Sequence, residues 1–200
     1  METDMSLGKQ AKILSKNQVE AMAQYLGARR NGLRNQVILM LSVKAGLRAK
    51  EIANLKWSMV LSADGLVGDA IHLTDNASKG RSGRIVPLNK HLKSLIKDLC
   101  EARIHVGTVS EFVITSERSK RVSAQTIVNM FQGWYRDLGF QGCSSHSGRR
   151  TFITNAARKI STVGGSLRDV QDLAGHATLQ TTQRYIDSSS NAKTRVVNLI

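Results

Sequence analysis

The 200-residue sequence predicts a mainly α-helical fold carrying one small antiparallel β-sheet. Two observations predict it. Apolar residues recur at helical spacing before residue 58 and after residue 90. Between them, short β-type runs alternate with turn residues, as in a small sheet of hairpin-linked strands. A chain of this length makes one domain, or one domain with short arms, and can bury a proper core.

Taken in order, residues 1–14 read as a short arm. Ser15 followed by Gln18 has the capping-box pattern and opens a helix toward Arg30, which Gly32 breaks. The run LRNQVILMLSVKAG places Val37, Ile38, Leu41 and Ala45 on or near one helical face, and Gly46 ends it. A short helix then begins near Arg48 and carries Glu51, Ile52 and Leu55. The pieces VLS, AIHLT and RIVPL, separated by ADG and SKGRSG, are the expected strands. Pro87, the single proline, falls at a strand end, where its missing donor does little harm. Helices are expected over residues 89–104, 123–138, 147–159, 166–174 and 178–185, with a short extended piece, EFVIT, between the first two. A tail, NAKTRVVNLI, closes the sequence with apolar residues at Val196, Val197, Leu199 and Ile200.

Hydrophobic residues make up 41% and charged residues 22%, ordinary values for a soluble globular protein. Aromatics are only 4%, so the core must be built from Leu, Ile, Val, Ala and Met. The charge balance is not ordinary. Twenty-nine Lys and Arg face fifteen Asp and Glu, a net +14 that repels itself and attracts polyanions. Nucleic acid is the first candidate partner. A membrane binder would show a basic amphipathic helix or a lipidation signal, and neither is present. The N-terminal METDMSLGKQ has no apolar run, so it is not a secretory signal, and no stretch approaches the ~20 apolar residues of a membrane span. Cys100 and Cys143 make no disulfide framework, and a reducing cytoplasm fits that usage.

Four local patterns carry candidate chemistry. In AGLRAKEI, Arg48 and Glu51 are three apart and share a helix face; alone, such a pair is an ordinary surface ion pair. In ASKGRSGRIVPL, Lys79, Arg81 and Arg84 surround two glycines, a turn able to bring a cation close to a phosphate backbone or simply a solvated hairpin. In HSGRRTFIT, His146 and Arg149 stand at the start of a helix, where an anion is favoured and a guanidinium fork adds to it. The bland reading there is a helix cap with basic surface residues. In LAGHATLQTTQRYI, His176 precedes Tyr185 by nine residues, with Thr181 and Thr182 between; a tyrosine so placed is by itself a core or rim residue.

Their order changes the weighing. Arginine, lysine, His-x-x-Arg, histidine and tyrosine along one basic chain resemble the tyrosine recombinase (phage-type integrase) family. AGLRAKEI resembles its first-arginine box, HSGRRTFIT its His-x-x-Arg box and LAGHATLQTTQRY its Gly-His…Thr-Thr…Tyr box. The resemblance runs from about Ser15 to Asp187, nearly the whole chain. It implies an arm at 1–14, a catalytic domain at 15–187 and a tail at 188–200 able to dock in trans. It implies a site-specific recombinase that cleaves and rejoins DNA through a 3′-phosphotyrosyl intermediate, with Tyr185 as nucleophile.

The resemblance also assigns the other roles, and physical chemistry explains them. A phosphodiester under attack gathers negative charge on its non-bridging oxygens, which Arg48 and Arg149 would clamp with planar forks. A free phenol has a pKa of about 10, so it needs a base, for which His146 is the candidate. Lys79 is the candidate acid for the leaving 5′-oxygen. His176 would hydrogen-bond a phosphate oxygen, Glu51 would orient the neighbouring basic groups, and Arg81, Arg84 and Arg150 would contact DNA. Cations then do what a metal does in other phosphoryl-transfer sites: no cofactor and no metal is implied, and no Asp/Glu cluster suggests a two-metal site. The implied partners are double-stranded DNA, a homo-multimer on paired sites and an accessory DNA-bending protein, with no membrane.

The sequence departs from the family's pattern in places. Arg150 stands where many relatives carry a second histidine, and Ala174 precedes Gly175 where a bulkier leucine is often seen. Only about fourteen residues precede the first helix, where many relatives carry a helical DNA-clamping domain. The expectation is a naturally short recombinase, like the fimbrial-switch inverting enzymes, or a catalytic fragment. Two other readings keep the fold: a DNA-binding regulator that does not cut, and a topoisomerase-like relaxing enzyme. A zinc protein using Cys100, Cys143, His146 and His176 is the outsider, because the cysteines lack paired metal-ligand spacing.

Overall fold

The structure, a computed structural model, describes residues 11–74, 83–106, 110–117, 119–186 and 197–198. It is mostly helical with one two-stranded antiparallel sheet. Helix α1 spans Lys16–Gly27 and begins with the expected capping box: Gln18 N–H donates to Ser15 Oγ at 3.2 Å, and Ser15 N–H to Gln18 Oε1 at 2.9 Å. It ends at Gly27 rather than near Arg30. Gly32 does not simply break the chain; it opens α2 (Gly32–Ala45), packed so tightly on the end of α1 that a Cβ there would strike the Gly27 carbonyl.

Helix α2 is the axis of the molecule. The sequence pattern suggests one buried face, but every residue from Val37 to Val43 is buried, together with Ala45. The apolar run is continuous because α1, α4 (Lys90–Val106) and α6 (Ser147–Lys159) pack around it. Gly46, in the left-handed region at φ 66°, terminates α2 and hands over to the short α3 (Ala49–Ala53).

Strands β1 (Ala70–Leu73) and β2 (Arg84–Pro87) pair with Ala70 opposite Pro87 and Leu73 opposite Arg84. Alternation puts Ile71, Leu73 and Val86 inside. The expected strand VLS is absent from this sheet. Val60 instead caps a 3₁₀ turn at Trp57–Met59, and Leu61 makes only an isolated bridge to Val67 across a tight turn in which the Ser62 hydroxyl bonds Asp64. EFVIT contributes one bridge, Phe112 to Lys56.

Helix α5 (Ala124–Asp137), started by the Ser123 cap, packs on α3; α7 (Leu167–Ala174) packs on β2, α6 and α8 (Leu179–Gln183). The main core surrounds α2. A second, small core of Ile153, Val170 and Ala174 joins α6 to α7, with Tyr185 packed at its edge. Among the described residues no helix is long and apolar enough to cross a membrane.

Candidate active site

The seam between the two cores is where the site residues expected from the sequence meet. Arg48 is the N-cap of α3, His146 is the N-cap of α6, Arg149 lies one turn into α6, and Tyr185 follows the last turn of α8. Arg48, His146, Arg149, Arg150, His176 and Tyr185 line one cleft of about 480 Å³. Residues more than 130 positions apart in the chain thus share one wall.

A single carboxylate and one helix end hold the cations. Glu51 is completely buried. Its Oε1 accepts from Arg48 Nη1 at 2.8 Å and from Arg84 Nη1 at 2.9 Å; its Oε2 accepts from Arg48 N–H at 2.8 Å and Arg84 Nη2 at 3.1 Å. Burial alone would raise this carboxyl, but hydrogen bonding and charge from Arg84, followed by Arg48, outweigh it and hold the pKa below the ordinary glutamate value.

The carbonyls that α7 leaves unpaired at its C-terminus take three different guanidiniums. Leu173 O accepts from Arg84 Nε at 2.8 Å, Ala174 O from Arg149 Nη2 at 2.6 Å, and Gly175 O from Arg48 Nη2 at 3.4 Å. Cations suit that end of a helix both as donors and by charge. Arg149 is only 4% exposed, and its Nη1 also donates to Gly46 O at 2.6 Å. Burial first, then the positive charge of Arg48, pushes its guanidinium down to about 9, still a cation at neutral pH. Three cations therefore face one buried carboxylate, and the surplus leaves this seam positively charged.

His176 is buried. Its Nδ1 lies 3.0 Å from Thr182 Oγ1, its carbonyl accepts from Gln171 Nε2 at 2.9 Å, and its ring stacks on Tyr185 with centroids 5.5 Å apart. Burial, then Arg149, Arg48 and Arg84, pushes the imidazole down to about 4, so it is neutral at pH 7. The Tyr185 backbone is tied at both ends, its N–H to Thr182 O at 3.0 Å and its carbonyl to Thr154 Oγ1 at 3.4 Å.

Of the sequence-derived site residues, Arg48, Glu51, His146, Arg149, Arg150, His176 and Tyr185 are brought together. Lys79 and Arg81 lie outside the described residues. Arg84 is a correction. Expected as a DNA contact on the hairpin, its side chain is 5% exposed and turned inward onto Glu51, because α7 packs against β2 and offers Leu173 O. Gln171, Thr154 and the carbonyls of Gly46 and residues 173–175 were not foreseen. Thr182 was visible as part of the Thr-Thr motif but had no role attached. Among the described residues no group of three His, Cys, Asp or Glu could hold a metal ion, and Cys100 and Cys143 are free.

The sequence is matched by the model of the phage integrase family over residues 12–192. The tyrosine recombinase XerC of Pelobacter propionicus is 29% identical over 155 residues, 77% of this chain and 47% of that protein. The tyrosine recombinase XerA of Thermococcus kodakarensis is 28% identical over 177 residues, 87% of this chain and 57% of that protein. The chain spans about half the length of these curated relatives. The fold is shared with the Tn1549 transposon integrase solved in complex with a circular intermediate DNA: TM-score 0.75 at 15% identity, covering 100% of this chain and 68% of that one.

Proposed function

The chain belongs to the phage integrase family, and from that premise we propose that it is the catalytic part of a site-specific recombinase that cuts and rejoins DNA through Tyr185. The observation that carries this reading is the convergence of Arg48, His146, Arg149, His176 and Tyr185, from three separate stretches of sequence, on one cleft.

The Tyr185 phenolic oxygen attacks the scissile phosphorus and forms a 3′-phosphotyrosyl diester, while the bond to the 5′-oxygen breaks. His146 takes the phenol proton. The leaving 5′-oxygen gains one, for which Lys79 is the candidate donor. Arg48 and Arg149 neutralise charge growing on the non-bridging oxygens, already held in place and so with little reorganisation. His176, neutral at pH 7, donates to a phosphate oxygen when its Nδ1 accepts from the Thr182 hydroxyl, since Nε2 then carries the hydrogen. One phosphodiester is exchanged for another, so no nucleotide is consumed, and a second strand's 5′-hydroxyl reverses the step. Double-stranded DNA, a homo-multimer on paired sites and an accessory bending protein are the partners of this reading. Arg81 contacts the backbone from the hairpin, and the tail at 188–200 docks in trans.

Covalent trapping tests it. Nicked duplexes tiled across the flanks of the encoding element are incubated, without divalent metal, with the unaltered chain and with Tyr185→Phe. A denaturant-stable protein–DNA adduct from the unaltered chain alone is expected. An adduct from both moves the nucleophile elsewhere, and binding without any adduct favours a non-cutting regulator. Exchange between two sites, rather than relaxation of one supercoiled circle, separates a recombinase from a topoisomerase.

A further inference from the structure

Five guanidiniums line the seam; Arg184 is exposed, and the other four differ in how far their hydrogens are already engaged. Arg84 commits Nε, Nη1 and Nη2 to Leu173 O and Glu51. Arg149 commits both Nη atoms to backbone carbonyls, and Arg48 both to Glu51 and Gly175 O. The Arg150 side chain commits none to any described residue. It is half-buried, its Nε is buried without a hydrogen-bond partner, and no carboxylate among the described residues pairs with it. A guanidinium has five donors and no acceptor, so leaving one unmatched beside other cations is costly unless something anionic completes it.

Its place says which anion. Arg150 lines the cleft that holds Tyr185 and His146, and it is absent from the larger groove beside it that is walled by Arg84, Pro87 and Asp172. A phosphate transferred to the Tyr185 oxygen arrives on the same side as Arg150, whereas Arg48 lines both spaces. We propose that Arg150 is a further catalytic cation, donating to a non-bridging oxygen of the phosphate as it passes from the DNA strand to Tyr185. This rests on the strand-cutting reading above and adds to it a residue that holds the covalent intermediate. No new bond is made or broken by it; its hydrogens bind charge that is already present before and after transfer.

Three outcomes follow from removing the charge on either partner. On unmodified nicked duplex, Arg150→Gln lowers the rate of adduct formation by about 10- to 100-fold, the range of one lost charge-assisted contact, and Arg150→Lys restores part of it. The melting temperature of Arg150→Gln is unchanged or higher, since the side chain makes no internal bond. When a neutral methylphosphonate replaces the scissile phosphate, removing the charged oxygen, Arg150→Gln and the unaltered chain react at equal rates. The proposal is overturned if the two chains react alike on unmodified DNA, or if the difference persists at a neutral scissile position and disappears only when a neighbouring phosphate is neutralised. A fall in melting temperature that tracks the loss of adduct overturns it too, as a structural role. An absence of adduct from the unaltered chain on every duplex sinks the underlying reading as well, and is told apart by that result alone.

Discussion

Glu51 shows at the scale of one residue how the site is held. It is a buried carboxylate whose two oxygens accept four hydrogen bonds, all from Arg48 and Arg84. Glu51→Gln keeps the shape but leaves two guanidiniums without a counter-charge, and is expected to lower folding stability by about 3–5 kcal/mol in urea unfolding. Because the folded pKa of Glu51 is depressed, its stabilisation is present above the unfolded value of about 4.3 and is lost as pH falls through the folded value. The stability of Glu51→Gln should therefore change less with pH below about 4.3 than that of the unaltered chain; parallel curves would show that the carboxylate is not the acid-sensitive group. His176 acts higher up the scale. Its folded pKa of about 4 lies below the ordinary value of about 6.5, so it contributes fully above pH 6.5 and progressively less down to about 4. Its ring protons, followed by NMR, should titrate near 4 in the free protein, and His176→Gln should flatten the stability curve between those pH values. A midpoint near 6.5 would mean that neither its burial nor the surrounding cations act on it.

The elements place these residues through two left-handed glycines. Gly46 ends α2 at φ 66°, and a Cβ there would run into the Phe152 ring on α6; Gly175 ends α7 at φ 60°, and a Cβ there would come to 3.0 Å from the Arg84 guanidinium. Gly46→Ala should cost about 2–4 kcal/mol through strain and overpacking together, measured by urea unfolding, and Phe152→Leu added to it should recover part of the loss. A cost under about 0.5 kcal/mol would mean the turn adapts freely. Most of the elements were legible in the sequence because capping residues and glycines act locally: Ser15 with Gln18, Gly46 and the helix start at residue 147 all read correctly. What was not legible depended on distant packing. Nothing local says that α2 is covered on every side, or that VLS would form a turn and a lone bridge. Arg84 reads as a hairpin cation until α7 is seen beside it. The three boxes name side chains that the fold brings to one cleft, but backbone carbonyls carry no residue identity, so the acceptors at Gly46 and residues 173–175 could emerge only from the fold.

For the whole molecule, the surplus of cations is the dominant property. At +14 the protein should bind duplex DNA by releasing counterions, with log affinity falling about 0.9 per phosphate neutralised for each log unit of salt. Between 50 and 200 mM salt, binding measured by fluorescence anisotropy should weaken by at least about 100-fold, the change for roughly four phosphate contacts. A loss smaller than about 3-fold would mean the surplus serves something other than DNA. The end of α7 adds a quality that net charge does not capture. The guanidiniums that would greet a phosphate also tie down a helix terminus, and Arg48 and Arg149 each spend only two of their five side-chain hydrogens inside the protein, so an incoming strand and the protein's own backbone share one set of cations. Filling the cleft and fixing residues 173–176 then become two sides of one equilibrium, and each must favour the other to the same degree. The amides of Gly175 and His176, bonded to Asp172 O and Gln171 O, are a built-in gauge of that coupling. Their hydrogen exchange should slow when DNA is loaded; unchanged exchange would mean that strand and helix end are held independently.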